Sequence, residues 1–161
     1  MRVTAAQINK AVAHIADATN GEYKVTTGGS NTGRPGNTWA ANAEQTIFDS
    51  ARGENRDALA FFLGVMKGYG ILAEKWVEAW SDLALDFDGT GTWFERGQVE
   101  ASRHKKFEAA KKERARLRAA EDDKATMRND SLPIEERRAA FRRHNRRGNP
   151  FHEGTPAGTE G

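Results

Sequence analysis

Apolar positions follow two different rhythms along this 161-residue chain, and the change falls near residue 97. Before it, large apolar residues recur every three or four positions, in bursts separated by glycine-rich or polar breaks. After it the helical spacing persists, but the apolar stripe thins. Large apolar residues (Ile, Leu, Val, Met, Phe, Trp, Tyr) number 27 in residues 1–97 and 7 in residues 98–147. A hydrophobic core can form in the first part and hardly in the second, and a segment of about 97 residues suffices for one small core.

The first helix is signalled from its start. Thr4-Ala5-Ala6-Gln7 fits a capping box, with Val3 and Ile8 at the two staple positions. Ile8, Ala11, Val12, Ile15 and Ala18 then recur at helical spacing, and Asn20-Gly21 supplies a left-handed stop. Residues 23–27 alternate weakly, as one short strand would. Residues 28–37 (GGSNTGRPGN) read as a loop. Residues 39–52 read as a second helix, with Trp39, Ala43, Ile47 and Ala51 on one side. Asn55 is the candidate cap of a third helix, where Leu59, Phe62, Leu63, Met66 and Tyr69 form a stripe. Leu72, Trp76, Trp80, Leu83 and Phe87 continue that spacing. Gly68 and Gly70 favour a break between two helices over a kink in one, because each glycine weakens a helix by roughly 1 kcal/mol relative to alanine.

Residues 98–127 predict a long charged helix with a thin stripe of Val99, Phe107, Ala110, Leu117 and Ala120. A shorter helix opens at Ser131-Leu132-Pro133, with Pro133 near its start. Its first turn is acidic and its end is arginine-rich, matching the helix dipole. The expectation is a mainly α-helical protein in three parts. Residues 1–97 form a compact helical domain with a glycine-rich loop at 28–37. Residues 98–147 form a charged helical arm, and residues 148–161 a disordered tail.

Charge sharpens this division. The net formal charge is only +2, yet residues 1–95 carry 8 basic and 12 acidic side chains, whereas residues 96–147 carry 17 and 9. The absence of cysteine excludes disulfides, thiolate nucleophiles and cysteine-ligated metals. No run of about eighteen apolar residues is present to span a bilayer, and the first residues lack the apolar stretch of a signal peptide. A cytoplasmic protein is expected, or a virion-associated one. Arginine outnumbers lysine 16 to 9, a bias of GC-rich bacterial or phage genomes.

Candidate chemistry outside the arm is thin. Asp86, Asp88, Thr90, Gly91 and Trp93 meet the EF-hand requirements at loop positions 1, 3, 5, 6 and 8. Position 12, which needs a bidentate glutamate, is Gly97, so the calcium candidate is incomplete. Leu85-Asp86-Phe87-Asp88-Gly89-Thr90 resembles the nucleophile motif of haloacid-dehalogenase-like phosphatases, which implies a buried strand in an α/β domain. Here helical spacing precedes those six residues and mostly charged helix follows. Gly28 and Gly33 have the spacing of a phosphate-binding loop, but Arg34 and Pro35 stand where lysine and a metal-binding hydroxyl belong. The four histidines are scattered without ligand spacing. No enzyme and no cofactor are expected.

The arm carries the strongest signal. Arg137, Arg138, Arg142, Arg143, Arg146 and Arg147 fall within eleven residues, with Phe141 and His144 among them. Helical geometry places 138, 142 and 146 in one row and 139, 143 and 147 in another. Arg114 and Arg118 extend the basic zone upstream. Guanidinium forks suit phosphate, so the expectation is a non-enzymatic accessory protein that binds nucleic acid with little sequence selectivity. The alternative is a structural or assembly protein, such as one of a phage particle, whose arm docks on another chain, on an acidic protein surface or on a second copy of itself.

Overall fold

The computed structural model describes residues 2–42, 46–79 and 93–148. The chain is mainly helical with a small antiparallel sheet, and it divides into two compact units, Met1–Lys106 and Phe107–Gly161. In order, the elements are α1 (Ala5–Ala18), β1 (Val25–Gly29), β2 (Asn37–Ala41), β3 (Phe48–Asp49), a 3-10 turn (Ser50–Arg52), α2 (Asn55–Tyr69), α3 (Glu74–Ala79), α4 (Trp93–Arg128) and α5 (Ile134–Gly148).

The start of α1 follows the sequence signal. The Thr4 hydroxyl accepts from the Gln7 amide, and the Gln7 side chain accepts from the Thr4 amide at 2.7 Å. Val3 and Ile8 are both buried, as the staple requires. Ile8, Ala11 and Ile15 then face the core, and the chain leaves the helix through Asn20 at φ +50° and Gly21 at φ +72°. At the end of α2, Gly70 adopts φ +74°; its amide donates to the Lys67 carbonyl and the Ile71 amide to the Met66 carbonyl. This Schellman ending closes α2 and settles the Gly68/Gly70 region as a break.

Residues 39–52 do not form the expected helix. Trp39 sits in β2, paired with Thr27 of β1 on one side and Phe48 of β3 on the other. The spacing of Trp39, Ala43, Ile47 and Ala51 also permits a strand followed by a return, and tertiary burial decides between them. Trp39 is fully buried, and its indole donates to Asn9 Oδ1 of α1 at 2.8 Å. Phe48 packs edge-on to Trp93 at 4.8 Å between ring centres. The buried Asp49 carboxylate accepts from the Ala51 amide and from the Ser30 hydroxyl, joining the 3-10 turn to the glycine-rich connection. That connection is shorter than residues 28–37, because β1 runs through Gly29 and β2 begins at Asn37. Asn55 does not cap α2; its side chain donates to the Val3 carbonyl at 2.9 Å.

The first unit is organised around α2, which is buried from Ala58 to Met66. Residues 93–106 of α4 cross it at close range. A Cβ placed on Gly64 would strike the Phe94 carbonyl, and one on Gly97 would strike the Phe61 carbonyl. On Gly68 it would fall 2.6 Å from the Ala101 Cβ. The approach is therefore backbone against backbone, with only small residues between. Farther along the crossing, the Tyr69 hydroxyl and His104 Nδ1 share a 2.6 Å hydrogen bond, and the Tyr23 and His104 rings meet edge to face at 5.3 Å.

Two outcomes test this packing. Gly64→Ala or Gly97→Ala gains about 1 kcal/mol of helix propensity but meets backbone atoms that have no rotamer to change. Each is expected to destabilise by about 1–3 kcal/mol net, read as a lower urea midpoint; a raised midpoint would dismiss the close crossing. The second concerns Tyr23, whose hydroxyl is buried with no hydrogen-bond partner among the described residues. Burial first, and the Glu100 and Tyr69 charges after it, push its ionisation far above the ordinary tyrosine value. The folded state then holds this proton more tightly than the unfolded state. Its contribution is complete below about pH 10 and declines as pH rises further, because the unfolded chain ionises first. Tyr23→Phe is expected to leave stability at neutral pH unchanged or higher and to flatten the alkaline decline. Equal alkaline slopes for the two proteins would refute this.

Candidate nucleic-acid interface

The second unit is a helical hairpin built from the end of α4 and from α5. Its turn is local chemistry. Asn129 Oδ1 accepts from the Ser131 amide at 3.1 Å and from the Ser131 hydroxyl at 2.6 Å, and Pro133 precedes α5. An Asx turn followed by a residue with preset φ sends the chain back as a new helix. The Pro133 carbonyl accepts from the Glu136 and Arg137 amides, opening the α5 ladder.

What holds the two helices together is mostly polar. Among the described residues of 107–148, only Asp123 and Ala140 are buried. Asp123 accepts from Arg143 Nε at 3.1 Å and from Arg143 Nη2 at 3.0 Å through one oxygen, and from Arg147 through the other. Arg147 also donates to the Ala119 carbonyl at 3.0 Å, and Arg137 pairs with Asp130. These contacts align α5 antiparallel to the end of α4.

The arginine cluster is thereby divided. Arg143 and Arg147, one of the two helical rows, turn toward α4 and Asp123. Arg138, in the other row, pairs with Glu135 one turn back at 3.3 Å. Arg142 and Arg146 are exposed and make no hydrogen bond or ion pair among the described residues, and the same holds for Arg114 and Arg118 of α4. Phe141 is 56% exposed. The sequence gives no hint that Asp123, one of three consecutive acidic residues, is the anchor. Only the register of the hairpin identifies it.

Charge is also polarised along the hairpin. Residues 107–120 and 141–148, toward the open end, hold nine lysines and arginines and two glutamates. Residues 121–140, toward the turn, hold four and six. Some of the open-end cations are neutralised locally on α4. Lys111 pairs with Glu108 at 3.3 Å and Arg116 with Glu113 at 2.8 Å. The hydrogen bond from Arg116 holds the Glu113 carboxyl below its usual range.

No known protein family, curated protein or solved structure matches this chain. No described helix is long and apolar enough to cross a membrane. Asp86, Asp88 and Thr90, with the calcium and phosphatase readings they carry, lie outside the described residues, as do Trp80 and the tail beyond 148. Trp76, by contrast, belongs to the core of the first unit and meets the tilted ring of His14 at 5.3 Å between ring centres.

Replacing Asp123 tests whether the ion pair holds the hairpin. Asp123→Asn keeps the shape and removes the charge. Both arginines are partly exposed, so water compensates some of the loss, and about 1–3 kcal/mol of hairpin stability is expected to disappear. Amide hydrogen exchange across residues 134–147 should quicken accordingly, while exchange in α2 stays unchanged. Unaltered exchange in α5 would show that the pair contributes nothing.

Proposed function

We propose that the hairpin of residues 107–148 binds nucleic acid through its phosphates, with little sequence selectivity, and that the protein is an accessory factor rather than an enzyme. The observation that carries this reading is the set of exposed guanidiniums without a partner among the described residues, Arg142 and Arg146 on α5 and Arg114 and Arg118 on α4, at the cation-rich end of the hairpin. Polyanions bind such surfaces by displacing condensed counterions, and arginine supplies a forked donor to each phosphate.

The test separates binding arginines from structural ones. Log affinity for a labelled oligonucleotide should fall linearly with log salt concentration. Arg142→Gln with Arg146→Gln should weaken binding and reduce the salt slope by about 1.4–1.8, since each lost phosphate contact removes about 0.7–0.9. Both residues are exposed, so helicity should not change. A slope that is unaltered in the double variant would remove these residues from the interface.

A second reading rests on a different observation. Phe107, Leu117, Ile134 and Phe141 are each more than half exposed in a unit whose helices bury almost nothing apolar. Apolar surface of that kind suits docking on a partner chain or a second copy. Light scattering at increasing concentration distinguishes the two: self-association that nuclease treatment does not abolish favours assembly.

A further inference from the structure

The hairpin has two faces of different chemistry. Asp123 and Ala140 mark the sides of α4 and α5 that meet. Following each helix around from those points, at 3.6 residues per turn, places Lys124 and Arg128 of α4 on the same side as Phe141. Phe141 itself stands one turn from Arg137 and Arg138 on α5. The opposite side of the hairpin takes Asp122, Glu135 and Glu136. Thus Lys124 and Arg128 share a face with the exposed ring, while Arg137 and Arg138 beside it are already paired with Asp130 and Glu135. Lys124 and Arg128 are exposed and make no ion pair among the described residues.

From this arrangement we infer that the nucleic acid bound is single-stranded, with Phe141 as a stacking platform for an unpaired base and Lys124 and Arg128 on the flanking phosphates. The inference rests on the nucleic-acid reading and narrows its substrate class. Phosphate contacts alone do not discriminate, since duplex and single strand both offer them. An exposed phenyl ring does. In a duplex the base faces are covered by their neighbours and the outside presents only phosphates, sugars and base edges. In a single strand each base has a free π-face, and stacking on an aromatic side chain is tolerant of sequence because every base has one. Lys124 and Arg128 are separated by about 6 Å along α4, one helical turn, and Phe141 lies between their levels across the hairpin. Cations on either side of a ring are what a strand needs to keep its backbone engaged while a base turns onto the ring.

The full chain is titrated with a fluorescein-labelled mixed-sequence DNA single strand and with the duplex of the same length, at matched salt. Single-strand affinity is expected to exceed duplex affinity by about tenfold or more. Phe141→Ala should weaken single-strand binding by about 5- to 150-fold, leave duplex binding and the salt slope unchanged, and be rescued by Phe141→Trp. Because the ring is exposed, helicity by circular dichroism should be the same in all three proteins. Duplex bound as tightly as single strand, or a Phe141→Ala variant that binds the single strand like wild type, overturns the single-strand assignment while the phosphate-binding reading survives. Failure to bind either nucleic acid at low salt overturns both.

Discussion

The first unit depends on two helix backbones touching. α2 and the start of α4 can approach only because Gly64, Gly68, Gly97 and Ala101 present almost no side chain at their crossing. Ordinary helix pairs keep their axes 8–10 Å apart because side chains fill the space. Glycine costs each helix about 1 kcal/mol of propensity, and that loss is offset by what the close approach brings into contact. Trp93 reaches the aromatic rings of Phe48 and Phe61, and His104 reaches Tyr69 and Tyr23. Asn42 after β2 donates to Glu100 at 2.7 Å, so the sheet is tied to the same helix. A side chain inserted at the crossing would disturb all of these together, since the core is close-packed and transmits the shift.

The second unit follows the opposite logic. It has almost no apolar interior, and its specificity comes from Asp123 held between Arg143 and Arg147. Taking a carboxylate out of water is unfavourable unless the partners are well placed. Here two guanidiniums surround it, and the Arg147 nitrogen that meets it also donates to a backbone carbonyl. Such a hairpin has a defined register but a modest stability, because conformational entropy opposes it and little buried area compensates. A marginal element with a cation-rich end is suited to gaining stability from an anionic ligand, since whatever binds only the folded state shifts its equilibrium toward folding.

Legibility in the sequence tracks how local the deciding physics is. The capping box at Thr4, the glycine ending at Gly70, the long charged helix and the proline-led α5 all depend on neighbours within a turn or two, and each is readable. Residues 39–52 read as a helix because the spacing of Trp39, Ala43 and Ile47 fits one, while the burial of Trp39 against Asn9 and of Phe48 against Trp93 is set by residues far away in sequence. Gly64 and Gly68 look like interruptions of an apolar run until α4 is seen to lie on them. In the candidate site, the arginine cluster and its two helical rows are legible. Which row faces inward is not, because it depends on a carboxylate twenty residues upstream whose neighbours Glu121 and Asp122 look the same.

That division of the arginines connects folding to binding. Asp123 orders α5 by engaging one row, and ordering α5 is what sets Arg142, Arg146 and Phe141 at fixed spacing on its outer sides. The two rows therefore do different work with the same side chain. Inward guanidiniums define the surface, and outward ones remain available to an anion. The cations at the open end repel one another, which works against the hold of Asp123 on Arg143 and Arg147. Each phosphate bound there relieves that repulsion as well as forming its own contact. Salt then acts twice, screening the repulsion that disfavours the free hairpin and competing for the phosphates that would stabilise it. Ionic strength should accordingly weaken the complex steeply while changing the free hairpin far less, because there it screens both this repulsion and the ion pairs that hold the helices together.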